Sequence, residues 1–209
     1  EGMRIVSIPN AIHASTFHPI DQREARKQHQ LPAEGKLILF GGLKVTDKNK
    51  GIDYLVEAIK KLVNQHGAEG LGIVVVGTKA EQVSQMFHLP VYAIPYISDE
   101  HKMATLYSAV DAFVTPSLHE NLPNVIAEAM SCGVPCVGFH VGGIPEMITH
   151  QEDGYVAQYK DATDLAQGIH YVLSDAHHSR LSEAARKAAH RYHEDRVALQ
   201  YIKEYERPL

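Results

Sequence analysis

The feature that most constrains this chain is an alternation. From Lys36 onward, short apolar runs take turns with stretches of helical period. KLILFGG (36–42) reads as a buried strand ending in a glycine-rich turn. In the segment that follows, Ile52, Leu55, Val56, Ile59, Leu62 and Val63 recur at helical spacing. LGIVVVG (71–77) is the next strand, with a helical segment to His88, and VYAIPY (91–96) is a third. SDEHKMATLYSA carries a helix-start signal at Ser98. DAFVTPS (111–117) and PCVGF (135–139) are the fourth and fifth strands, with a nearly all-apolar helix between them. GGIPEMI is a turn into a short helix, and HQEDGYVA a turn into a sixth strand. From Asp161 the pattern is helical, with breaks near Asp175 and His193.

Strands separated by helices require crossovers, and crossovers are right-handed and cover both faces of a parallel sheet. The fold class is therefore α/β: a Rossmann-like, doubly wound parallel sheet of about six strands with helices on both faces. A chain of 209 residues can bury a core of that size. The expected organisation is a linker over residues 1–35, a nucleotide-binding unit over 36–175 and terminal helices over 176–209. The linker opens on a strand-like run, RIVSIPN, and continues into a short charged helix, DQREARKQHQ.

In such folds the ligand sits outside the carboxyl ends of the strands, where the strand order reverses, here between the first and fourth strands. The loop after strand one is GGLKVTDKNKG and the loop after strand four is PSLHENLPN. They are the most polar and chemically loaded loops of the chain.

Several functions are disfavoured. Net charge is −5 with both signs scattered, which gives no drive toward nucleic acid. No strand-to-helix turn carries G-x-G-x-x-G, so a nicotinamide dehydrogenase fits poorly. Cys132 and Cys136 are too few for a disulfide framework and read as buried thiols. The tight histidine groupings, His177-His178 and His190/His193, lie on polar helical segments and read as solvated. No apolar run reaches membrane-spanning length and no signal peptide opens the chain, so the default expectation is a cytoplasmic protein.

Two carboxylates then demand partners. Glu128 stands in an apolar helix among Val125, Ile126, Ala127, Ala129 and Met130, where an unpaired carboxylate is costly. Its partner is either a local basic group or backbone N–H, or a ligand with vicinal hydroxyls. Glu120 lies in the loop before that helix, and Pro123 suits its first turn. The free amides at Asn124 and its neighbours, with the positive end of the helix dipole, suit a phosphate. Glu120 either complements the dipole or binds hydroxyls that the phosphate carries. Lys44, Lys48 and Lys50 in the facing loop could neutralise a diphosphate, or form an ordinary solvated basic loop. A phosphorylated, hydroxyl-rich ligand such as a nucleotide sugar fits this set.

The same residues resemble a known family. IPNAIHASTFHP, KGIDYLVEAI, the run from PYISDEHK through GGIPEMI with Glu120 and Glu128 spaced as E-x7-E, and EDGYVAQYKDATDLAQGI occur in the order found in retaining GT-B glycosyltransferases of family four. The resemblance is to the carboxyl-terminal, donor-binding half of the GT-B fold. It implies that Glu128 binds ribose hydroxyls and that Glu120 is the catalytic-site acid contacting the transferred sugar. It implies that backbone amides of Asn121, Leu122, Asn124 and Val125 hold sugar and phosphate, that Lys50, with Lys44, grips the diphosphate, and that Ile97, Asp99 and Lys102 meet the base. No metal or other cofactor is implied. The implied partners are a nucleotide-diphosphate-sugar donor and an amino-terminal acceptor domain of a longer enzyme, against which residues 176–209 would pack. RVALQYIKEY would then expose Val197, Leu199, Tyr201, Ile202 and Tyr205. The full-length enzyme would transfer a hexose to a glycan or lipid-linked acceptor in polysaccharide biosynthesis, at the inner membrane face, and this stretch alone would transfer little. Readings without transfer are a nucleotide-sugar-binding domain or a sugar-nucleotide epimerase. One departure stands out: Leu43 occupies the place where the family has an arginine, leaving Lys44 as the substitute cation.

Overall fold

The computed structural model describes residues 5–207. Six parallel strands form one sheet in the order β3-β2-β1-β4-β5-β6. They are β1 (Lys36–Lys44), β2 (Leu71–Thr78), β3 (Val91–Ile94), β4 (Ala112–Thr115), β5 (Cys136–Phe139) and β6 (Gly154–Ala157). The helices are α1 (Gln22–Gln28), α2 (Ile52–His66), α3 (Ala80–Ser84), α4 (Glu100–Ser108), α5 (Asn124–Ser131), α6 (Ile144–Met147), α7 (Ala162–Leu173), α8 (Asp175–Ala189) and α9 (Glu194–Tyr205).

Period-two alternation sends successive β1 side chains to opposite faces. Leu37 and Leu39 join Val74, Val76 and Phe113 under α4 and α5. Ile38 and Phe40 join Ile73, Val75 and Val114 under α2 and α7. Both faces are covered, as the alternation of strands and helices requires. The order reverses where β1 pairs with β4, at Ile38↔Ala112 and Leu39↔Phe113. The switch point lies where the sequence puts it.

Some boundaries differ from expectation. α3 is five residues long and stops well short of His88. β1 runs on to Lys44, paired there with Thr78, so Lys44 belongs to a strand end and not to a free loop. The cap of α4 is Asp99, not Ser98, because the Asp99 carboxylate accepts from the Lys102 amide at 2.9 Å. Pro123 is the residue before α5, not inside its first turn.

The opening segment shares the core. Ile12, Phe17, Ala25 and Leu31 are buried with the sheet's own residues. Arg26, 3 % exposed, donates to the carbonyls of Ala109 (2.9 Å), Ala33 (3.1 Å) and Gly35 (3.1 Å) and to Asp111 Oδ2 (2.9 Å). That same carboxylate oxygen accepts the Leu37 amide at 2.7 Å. One buried ion pair thereby ties the first helix to the start of β1. The strand expected over RIVSIPN does not form in its described part: Ile5 and Val6 are exposed and carry no strand, and Arg4 lies outside the described residues.

At the other end, α8 packs on α5. Val197 is buried, contrary to expectation, because it lies in the first turns of α9, which packs against the 3-10 turn His190–Tyr192 before it. Leu199, Tyr201, Ile202 and Tyr205 are exposed as expected. Both cysteines are free and buried, and burial holds their thiols protonated, Cys132 at a pKa of about 12. Among the described residues no helix is long and apolar enough to cross a membrane.

Candidate donor crevice

The loops after β1 and β4 meet over the switch point. The 3-10 turn Lys48–Lys50 ends at Gly51, whose φ of 70° is left-handed and where an added Cβ would fall on the Pro116 carbonyl. Any side chain there would collide with that carbonyl, so only glycine lets the loops close. Leu118 N donates to the Asn49 carbonyl at 2.8 Å and completes the join.

Closure brings two expected residues together. Lys50 Nζ lies 2.9 Å from Glu120 Oε1. The Lys50 stem runs over Gly42: a Cβ at Gly42 would sit 3.7 Å from Lys50 Cε. The Glu120 backbone is held from below by the turn after β5. Gly142, at φ 53°, abuts the Glu120 carbonyl, and Gly143 N donates to the Asn121 carbonyl at 2.6 Å.

α5 begins directly after this loop. Ile126 N bonds back to the Pro123 carbonyl at 3.0 Å. The amides of Asn124 and Val125 open the helix, where no intrahelical acceptor exists. Asn124 and Val125 are exposed there, Leu122 is half-buried beneath them, and Asn121 is exposed. The Asn124 side chain accepts from Asn10 Nδ2 at 3.2 Å, so the opening segment braces this rim.

One turn further along α5 stands Glu128. It is half-buried rather than enclosed, since α5 turns an open edge at Asn124 and Val125 toward the crevice. Its partner is neither of the local kinds expected: the Tyr107 hydroxyl donates to Oε2 at 3.0 Å. Burial raises the Glu128 carboxyl above the ordinary range, with the phenol hydrogen bond acting in the opposite direction. Tyr107 itself is pushed well above an ordinary phenol by burial and by the adjacent carboxylate.

Glu128 and Tyr107 line a cavity of about 340 Å³ with Gly41, Gly42, Leu43, Phe17, Met103 and the 96–100 stretch. Of the residues expected near a base, Ile97 and Asp99 line this cavity, and Asp99 spends its carboxylate on the α4 cap, where the Lys102 amide holds it below the ordinary range. Lys102 is exposed on α4 and is not in the lining. Lys44 is exposed at the strand end beside Thr78 and does not line the cavity. Leu43 is 67 % exposed at the cavity mouth, so an apolar chain occupies the place of the arginine.

Tyr107 and Tyr96 escape sequence reasoning. Tyr107 sits at core spacing on α4, and its hydroxyl is the signal: a buried phenol needs a polar partner. Tyr96, 52 % exposed, ends an apolar run and reads as strand.

The crevice thus has an anion end, with Lys50, Glu120 and the α5 amides, and a half-open end, with Glu128 and Tyr107 over a mostly apolar floor. It suits an elongated ligand with negative charge at one end and hydroxyls near the middle.

Known proteins share this arrangement of fold. N-acetyl-alpha-D-glucosaminyl L-malate synthase of Bacillus anthracis is 26% identical over 204 residues, covering 94% of this chain and 52% of that protein. Sucrose-phosphate synthase from Thermosynechococcus elongatus superposes with a TM-score of 0.78 at 28% identity, over 95% of this chain and 51% of that one. Anabaena Alr3699/HepE, solved in complex with UDP-glucose, shares the fold with a TM-score of 0.77 at 20% identity, over 95% of this chain and 56% of its own. The chain spans about half the length of curated relatives that it matches. The model of the glycosyl transferases group 1 family matches residues 34–175, from just before β1 through the end of α7. By that match the chain belongs to the group 1 glycosyl transferases, of the GT-B type.

Proposed function

We propose that this chain is the donor-binding half of a retaining, family-four glycosyltransferase that takes a nucleoside-diphosphate sugar. The observation that carries the reading is the division of the E-x7-E pair across one crevice: Glu120 beside Lys50, and Glu128 beside Tyr107. A donor threads both ends. Its ribose diol meets Glu128, and its diphosphate meets Lys50 and the amides of Asn124 and Val125. The transferred sugar lies over Glu120 and the amides of Asn121 and Leu122, and the base lies along Ile97 and Asp99, with Lys102 outside the cavity.

As the sugar–oxygen bond breaks, charge grows on the leaving diphosphate. Lys50 and the positive end of α5 stabilise it electrostatically, with Lys44 supplying long-range attraction. The reading needs no metal for that step. Glu120 orients the sugar hydroxyls and supplies negative charge near the developing cation. Donor binding breaks the resting Lys50–Glu120 pair, so phosphate capture and release of Glu120 toward the sugar are one event. Transfer of a hexose to a glycan or lipid-linked acceptor, in a cytoplasmic enzyme working at the inner membrane face, belongs to the same proposal and requires the amino-terminal acceptor domain that the family resemblance implies. A nucleotide-sugar-binding domain without transfer is the second reading, favoured by the exposed Leu43 where an arginine fork would sit.

Calorimetric titration of the chain with UDP, GDP, ADP and CMP, alongside Glu128→Ala, tests the proposal. One nucleoside diphosphate is expected to bind selectively, with affinity lost in the variant. Binding that is indifferent to Glu128, or absent at millimolar ligand, would overturn it.

A further inference from the structure

Tyr107 belongs to no part of the E-x7-E pair, yet it is the residue that fixes Glu128. Its ring is fully buried, edge-on to Phe113 (5.8 Å between centroids, 89°) and tilted against Phe17 (6.4 Å). Those contacts need only a ring, and phenylalanine would supply them. The hydroxyl has a different use. It reaches the cavity wall and donates to Glu128 Oε2 at 3.0 Å. Among the described residues, no hydrogen bond reaches Oε1. The carboxylate is therefore pinned at one oxygen and open at the other.

We propose that Tyr107 is a positioning residue: its phenol holds the Glu128 carboxylate so that Oε1 and the remaining lone pair of Oε2 face a vicinal diol. This rests on the reading of Glu128 as the ribose ligand. A carboxylate accepts both hydroxyls of a diol at lower ordering cost when its plane is already fixed, and the torsion that sets that plane is soft without a restraint. The phenol also favours the ionised form in a site whose burial opposes it. The other groups facing Glu128 give no such help. Glu100 of α4 repels it, and Cys132, just past the end of its own helix, is a neutral thiol. His13 of the opening segment is engaged with Glu100 at 3.0 Å. Selection of a ribonucleotide over its 2′-deoxy counterpart then belongs to the pair, not to Glu128 alone.

The test is Tyr107→Phe in the whole chain, titrated with UDP, GDP and ADP and with their 2′-deoxy counterparts. For the ribonucleotide that binds wild type best, affinity is expected to fall about tenfold, the weight of one charge-assisted hydrogen bond. Its 2′-deoxy counterpart, weaker from the start, loses little, so the ribose preference collapses. Carbon-detected NMR of the Glu128 carboxyl should show its titration midpoint moving up in the variant. 3-Fluorotyrosine placed at 107 keeps the hydroxyl as a stronger donor and should move the midpoint down, which keeps the test decisive if phenylalanine disturbs folding. A ribose preference and a carboxyl titration both unchanged in Tyr107→Phe would overturn the inference while Glu128→Ala still abolished binding. Failure of the underlying donor reading looks different: wild type binds no nucleoside diphosphate, or binds without regard to Glu128, and the inference falls with it.

Discussion

Lys50 Nζ and Glu120 Oε1 stand 2.9 Å apart, joining two loops that are separated by 70 positions in the chain. Each neutralises the other in a ligand-free crevice, and neither can serve a donor without leaving its partner. Lys50→Met should weaken nucleoside diphosphate binding about tenfold and flatten its salt dependence. Glu120→Gln should do the reverse, tightening the bare diphosphate a few-fold by releasing Lys50 while removing what the sugar adds to affinity. Calorimetry with UDP and UDP-glucose at two salt concentrations separates the two effects. Equal losses in both variants would show that the pair acts only as a loop staple.

Glu128 is held at an energetic disadvantage that the proposed ribose contact would explain. Burial raises its carboxyl above the ordinary 4.5. The folded chain therefore binds more protons than the unfolded chain between 4.5 and the raised value, and stability falls as pH rises through that window. Glu128→Gln keeps the acceptor for Tyr107 but carries no charge. It should raise the urea midpoint at neutral pH, leave it nearly unchanged in acid, and abolish nucleotide binding.

The histidines work in the opposite sense. Burial lowers His29, His170 and His193 below the ordinary 6.5, and His66, stacked on His170 at 3.7 Å, lowers it further. Below 6.5 the unfolded chain takes up protons that the folded chain refuses, so stability should decline as pH falls from about 7 to 5. His13, raised by Glu100, opposes this from an exposed position. His170→Gln should make the decline shallower in urea titrations across that range.

Arg26 carries the attachment of the opening segment. Removing it leaves Asp111 buried and charged and strips donors from the carbonyls of Ala109, Ala33 and Gly35. Arg26→Ala should cost about 3–5 kcal/mol in unfolding free energy. Circular dichroism in urea measures it, and a loss under about 1 kcal/mol would mean that water replaces the guanidinium.

Gly142→Ala tests the floor under Glu120. Its left-handed φ and its contact with the Glu120 carbonyl leave no room for a methyl group. The substitution should cost about 1–3 kcal/mol of stability and displace Glu120, so affinity for a nucleotide sugar falls more than affinity for the free diphosphate.

The strand order and the crevice were legible because they depend on period and on crossover handedness, which apolar spacing in 36–157 records directly. The meeting of Lys50 with Glu120 was legible only as co-location, since an ion pair needs side-chain geometry that spacing does not encode. Tyr107 was hidden: at position 107 a core ring and a carboxylate clamp have the same helical spacing. Val197 was misjudged because amphipathic period on a terminal helix tells which face is apolar, not what that face meets. Arg26 was read as part of a short charged helix, and nothing local distinguishes it from Arg23 or Lys27. Only the fold, by bringing Asp111 and three carbonyls around it, does so.

The switch point also has a temporal meaning. β1 meets β4 at Ile38↔Ala112, and just before that pairing the Leu37 amide meets the Asp111 carboxylate across a sequence separation of 74. Short-range turns and helices can form in a chain where that closure has not occurred, but the crevice cannot, because each of its walls belongs to a different side of the gap. Loop closure of this length slows folding and sets the order of events. Under the proposed function, ligand-binding competence would thus report on completed topology: a refolding population should regain helical signal first, and nucleotide capture should mark the moment its two halves have joined.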